Sequence, residues 1–134
     1  WALVMGTLIS CQSAPNQDDL KHLTGYWEIE QVTFPNGETR GFPPSTTVDY
    51  YFIEGLGGFL KKVQPELNGR FRVNEDKIDL KISTRDNLLV LQFTGKEDTW
   101  EEVLEVLTPD RMETRHDNGL RYQYHRFTPL LISE

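Results

Sequence analysis

The chain has 134 residues, enough for one domain with one hydrophobic core, and 37% hydrophobic against 26% charged residues marks a globular fold rather than a disordered one. Fourteen Lys and Arg against twenty-one Asp and Glu give a net charge of -7, which excludes nucleic acid as a general partner, because phosphate binding needs a basic surface and no basic stripe is present. A single cysteine excludes an intramolecular disulfide, so stability must come from packing and strand pairing.

The chain opens "WALVMGTLISCQSAPN". Its apolar run from Trp1 to Ile9 is too short to span a bilayer, which takes about 20 apolar residues, but it has the size of a signal peptide's apolar region. Leu8, Ser10 and Cys11 follow in an order that resembles a bacterial lipobox, the cleavage site of lipoprotein signal peptides. That resemblance implies that Cys11 carries a diacylglyceryl thioether and is the first residue of the mature protein. Two or three acyl chains, at about 0.8 kcal/mol per buried methylene, hold a protein to a membrane durably. The expected layout is a signal-peptide remnant at residues 1–10, a lipidated tether at 11–19 and one domain at 20–134. The charged beginning of such a signal peptide is expected ahead of Trp1. Gln12 is not the Asp that retains lipoproteins at the inner membrane of enteric bacteria, so the expected address is the bacterial cell envelope, at the outer membrane, with the face left open.

Beyond the tether, Asp18 and Asp19 are candidate caps for a short helical turn carrying Leu20 and Leu23, stopped by Gly25. From there the pattern is β. "YWEIEQVTF" alternates Trp27 and Ile29 with Glu28 and Glu30 and ends at "PNG". "TTVDYYFI" runs into the glycine-rich "EGLGG", "FLKKVQ" stops at Pro65, and "NGRFRV" begins another strand. "KIDLKIS" places Ile78, Leu80 and Ile82 on one face. The turn after it is expected to pair Ile82 with Leu89, Leu80 with Leu91 and Ile78 with Phe93, while Val73 and Phe71 are expected opposite Ile78 and Leu80. "TWEEVLEVL" and "RMETRH" follow, and Asn118-Gly119 signals a two-residue hairpin that would pair Arg115 with Tyr122, Glu113 with Tyr124 and Arg111 with Arg126. Eight or nine short strands without an internal helix predict an all-β, antiparallel up-and-down barrel.

Gly25-Tyr26-Trp27 at the start of the first strand resembles the Gly-x-Trp opening of lipocalins, and Arg126 in "YQYHRF" resembles the arginine that packs over that tryptophan. With the lipobox, "LTGYW" and "VLTPDRM", residues 20–128 resemble the small lipocalin-like lipoproteins of Bacteroidetes-type bacteria. The resemblance implies a lipocalin-like barrel of eight or nine strands with a short N-terminal helical turn. In it, Trp27 and Arg126 close one end as structural, non-catalytic residues.

Catalytic chemistry finds little support. His22, His116 and His125 lack metal-ligand spacing, and neighbours such as Glu101 and Glu102 point to opposite faces of a strand, so both read as solvated charges. The three glycines of "EGLGG" read as a turn rather than a phosphate loop. No catalytic residue, cofactor or metal is expected. Tyr50, Phe71, Leu80, Leu91, Tyr122 and Tyr124 are the candidate lining of a site for a small apolar or amphipathic ligand. The expected function is a non-enzymatic, membrane-anchored ligand binder. The alternative is a protein-interaction module, an inhibitor or accessory subunit of an envelope complex, using the loops "FPNGETRGFPPS" and "EGLGG"; which protein it would bind is not legible.

Overall fold

The computed structural model describes residues 14–43, 48–65, 71–73 and 77–128, so Cys11, the apolar opening and the last residues of the chain lie outside the described residues. A 3-10 helix, Gln17–His22, begins the described fold. Its cap is Asn16, not Asp18 or Asp19: the Asn16 side chain accepts from the Asp18 amide at 2.9 Å, and Asp19 accepts from the Asn16 amide at 2.9 Å. This reciprocal capping box uses Asp19 three residues inside the turn, where its carboxylate satisfies the cap's own N–H.

Ten strands follow: β1 Gly25–Thr33, β2 Thr39–Gly41, β3 Val48–Glu54, β4 Gly57–Pro65, β5 Phe71–Val73, β6 Ile78–Arg85, β7 Leu88–Thr94, β8 Thr99–Leu107, β9 Arg111–His116 and β10 Arg121–Arg126. Eight of them run in the order β10-β9-β8-β7-β6-β4-β3-β1, and β1 pairs back onto β10, closing an antiparallel barrel. The short β2 and β5 extend the edges of β1 and β4. Closure leaves the eight barrel strands paired on both sides and gives them one inner face, on which alternate residues accumulate.

Three strand pairings differ from the sequence expectation, two of them for a reason in the connecting turn. Between β6 and β7 the loop is only Asp86 and Asn87, at φ 53° and 65°. A two-residue turn with both residues left-handed pairs Arg85 with Leu88 and carries Ile82 to Leu91 and Leu80 to Phe93. The slip is two residues, so the expected apolar face survives. Val73 and Phe71 pair with Val63 and Pro65 of β4 rather than with β6, because β6 pairs with the first half of β4 and leaves its second half to β5.

The third difference decides what faces the barrel interior. The β9–β10 loop has three residues, Asp117 to Gly119, closed by the His116 amide on the Leu120 carbonyl at 2.8 Å and the Gly119 amide on the His116 carbonyl at 2.9 Å, with Gly119 at φ 85°. The extra loop residue moves the register by one. Tyr122 therefore stands opposite Thr114 and Tyr124 opposite Met112, not opposite Arg115 and Glu113, and Arg111 meets His125 rather than Arg126. Tyr122, Tyr124, Met112, Thr114 and His116 share the inner face, whereas Arg115 and Arg121 pair on the outer face and both reach Glu105.

Candidate ligand cavity

The two ends of the barrel differ. At one end lie the N-terminal turn and the tight β3–β4, β6–β7 and β8–β9 connections. Leu20, Leu23, Trp27, Leu107 and Met112 fill it, all buried. The Trp27 indole donates to the Leu23 carbonyl at 2.9 Å, and the Arg126 guanidinium lies over the Trp27 ring with its carbon 3.9 Å from the ring centroid. Arg126 also donates to the carbonyls of Thr24 at 3.0 Å, Pro109 at 2.9 Å and His22. One side chain thus ties β10 to the turn, to the start of β1 and to the β8–β9 loop. Desolvation lowers its pKa from the ordinary arginine value, with Asp110 acting in the opposite sense. This end is sealed and structural.

The middle layer is also packed. Leu80, Leu91, Phe93 and Leu104 are buried, Tyr51 meets Phe93 edge-on at 6.3 Å, and Phe93 stacks on Trp100 at 5.1 Å. Beside Trp100, the described side chains no longer fill the space. A cavity of about 540 Å3 opens there, lined by the apolar and aromatic side chains of Ile29, Leu60, Ile78, Trp100, Tyr122 and Tyr124 and by the polar Asp49, Lys62, Glu102 and His116. Its size lies within the range of small-molecule sites, roughly 300–1,000 Å3.

The polar groups form two pairs. Lys62 Nζ lies 2.5 Å from Asp49 Oδ1, the two being directly opposite on β3 and β4. Burial pushes the Asp49 carboxyl above its usual range, and Lys62 offsets only part of that. Glu102 accepts the Trp100 indole N–H on Oε2 at 2.8 Å, and His116 Nε2 stands 3.4 Å from its Oε1. Burial would raise Glu102 too, but His116, Trp100 and Thr114 together outweigh it and hold the carboxyl below the usual range. Even so, Glu102 Oε1, Thr114 Oγ1 and His116 Nε2 are buried without a well-formed hydrogen bond among the described residues. The phenols of Tyr51 and Tyr124 are driven well above their ordinary pKa, by burial first and then by the nearby carboxylates, so both stay neutral donors.

Of the residues expected to line a ligand site, Tyr122 and Tyr124 border the cavity. Leu80 and Leu91 belong to the packed layer beneath it. Tyr50 is on the outer face, its ring 4.9 Å from Tyr26 and 6.1 Å from Phe59. Phe71 pairs through its backbone with Pro65, and its side chain lies outside the described residues. Glu101 and Glu102 do point to opposite faces, but only Glu101 is solvated: Arg85 and Gln92 bond it on the outer surface and bring its carboxyl down to about 2. Reading Glu102 as a solvated charge is corrected by its burial, 6% exposed. Sequence reasoning missed Asp49, Lys62, Trp100, Glu102 and His116 as one group. The available signal was alternation: Asp49 precedes inward Tyr51 by two, and Trp100 and Glu102 precede inward Leu104 by four and two.

A sealed, arginine-capped end beneath a cavity in a closed eight-stranded meander defines a lipocalin-like barrel fold. The same fold is found in a lipocalin-like protein from Bacteroides uniformis, 11% identical, with a TM-score of 0.50 over 79% of this chain and 99% of that one. It is found again in an uncharacterized protein from Bacteroides eggerthii, 12% identical, with a TM-score of 0.50 over 78% of this chain and 98% of that one. No family model and no curated protein matches the chain.

Proposed function

We propose that this chain is a lipid-anchored, non-enzymatic binding protein of the bacterial cell envelope that holds a small amphipathic ligand in one end of its barrel. The observation that supports it is the cavity itself: among the described residues the interior is packed around Phe93 and Leu91 but leaves a space beside Trp100, lined by apolar and aromatic side chains together with two polar pairs. The lipobox-like "LISC" supports attachment through Cys11, in the outer membrane. Native mass spectrometry of protein purified from envelopes tests the binding reading, with a released small molecule expected and a uniformly empty barrel opposing it. Palmitate labelling of wild type and Cys11→Ala tests the anchor.

A protein-interaction role is the second reading. Phe42 and Leu56 are the large hydrophobic side chains most exposed among the described residues, at 40% and 49%, and each lies in one of the two loops singled out for a partner. Affinity capture from envelope extracts with wild type and a Phe42→Ser, Leu56→Ser double variant separates the readings. A stoichiometric partner lost in the double variant favours this one.

A further inference from the structure

We infer that the cavity selects a small apolar molecule carrying a protonated amine, seated with its ammonium against Glu102 and its apolar body along Trp100, Ile78 and Tyr122. The inference rests on the ligand-binding reading above and names the ligand's chemistry.

Charge at the site is one-sided. Among the described lining residues, Asp49, Glu101, Glu102 and, in the β9–β10 loop, Asp117 stand against Lys62 as the one Lys or Arg; Glu101 is taken by Arg85, and Lys62 is held by Asp49 at 2.5 Å. An anionic ligand would meet the carboxylates of Glu102 and Asp117 and would have to draw Lys62 from its partner. Glu102 is the carboxylate with an acceptor oxygen to spare. Its side chain is only 7% exposed, it accepts one well-formed hydrogen bond, from Trp100, and its Oε1 has none. A carboxylate has room for several donors, and the open Oε1 leaves a place for one more. Near Oε1 stand His116 Nε2, 3.4 Å away and an acceptor in the tautomer that carries its proton on Nδ1, and Thr114 Oγ1. The three N–H bonds of a primary ammonium therefore find three acceptors around one point. His116, 24% exposed and edge-on to Tyr122 at 4.3 Å, is the ring that turns to admit it. The ring faces of Trp100 and Tyr122 add attraction for a cation that a neutral or anionic group would not feel.

Calorimetric titration at pH 7 with 2-phenylethylamine, 2-phenylethanol and phenylacetate holds the skeleton constant and changes the head group. The expected result is the amine binding at least about tenfold tighter than the other two, with Glu102→Gln removing about that factor for the amine alone, in line with a charge-assisted hydrogen bond. Equal binding of alcohol and amine, or tighter binding of the carboxylate, overturns the amine inference and leaves the ligand-binding reading standing. Absence of binding by all three overturns both. Amine affinity unchanged in Glu102→Gln of wild-type melting temperature also overturns it; should that variant not fold, the three wild-type titrations decide.

Discussion

Arg126 occupies the space that a side chain on Gly25 would need: a Cβ there would lie 2.3 Å from Arg126 Nη1. Gly25 also sits at φ +136°, where residues with a side chain are strained. Gly25→Ala is expected to destabilise the fold by about 2–3 kcal/mol from backbone strain and displacement of the guanidinium together. Arg126→Lys, which keeps the charge but not the flat contact with Trp27 or the three-way donation to carbonyls, is expected to cost about 1–2 kcal/mol. Urea unfolding checks both. A Gly25→Ala variant as stable as wild type would mean that the sealed end tolerates a different arrangement.

The filled and empty halves of the barrel predict different costs for similar truncations. Leu91, 0% exposed beneath the cavity, should cost about 2–5 kcal/mol when changed to Ala, because a void is created where packing was complete. Ile78 borders space that already exists. Its change to Ala should cost less, about 1–2 kcal/mol, since it enlarges a cavity without opening a new one. Equal costs in paired denaturation experiments would argue that the far end is packed.

The two buried carboxylates predict opposite pH behaviour. Glu102 has its folded pKa below the unfolded one, so its contribution to stability is complete above the ordinary carboxylate pKa and disappears as pH falls through the lower folded value. Asp49 has its folded pKa raised, so its charged form is a burden at neutral pH that is relieved as pH falls through that raised value. Unfolding free energies measured from pH 7 to pH 3 should show the advantage of wild type over Glu102→Gln shrinking on acidification. Over the same range wild type should gain on Asp49→Asn. Parallel curves for all three proteins would deny the shifts.

Anchoring predicts an orientation. Three residue steps separate Cys11 from Ala14, a reach of about 11 Å at full extension, and the turn that follows Asn16 runs into the His22 and Leu23 carbonyls bonded by Arg126 and Trp27 at the sealed end. On the anchored reading the sealed end faces the bilayer and the cavity faces away from it. Spin labels at Leu56, in the β3–β4 turn of the sealed end, and at Asn118, beside the cavity, report this in reconstituted vesicles. The Leu56 label should be the closer of the two to the lipid, and the reverse order would contradict the orientation.

The fold was legible because strand alternation and turn residues act locally: Leu80 and Ile82 share a face whatever they pair with, and Gly25-x-Trp27 with Arg126 marks the sealed end. Registers were less legible, since they depend on turn geometry. Asp86-Asn87 takes up the two-residue turn that Asn118-Gly119 had signalled, while Asn118-Gly119 sits in a three-residue loop. The site was least legible because it depends on those registers. Glu102 and His116 are fourteen positions apart in sequence and face each other only once β8 and β9 pair. A carboxylate on an amphipathic strand looks solvated until the neighbouring strands show which face is inside, and Glu102 with Trp100 was on that face.

The central claim, that the cavity lined by Trp100 and Glu102 receives a ligand, is tested most directly by the indole N–H resonances in a 15N-edited NMR titration with 2-phenylethylamine, the signals being assigned with Trp100→Phe. The Trp100 indole, bonded to Glu102 at the cavity floor, should shift progressively and saturate, while the Trp27 indole, bonded to Leu23 at the sealed end, should stay in place. A titration that leaves the Trp100 resonance unmoved, or moves resonances of the outer-face Tyr26, Tyr50 and Phe59 instead, would contradict it.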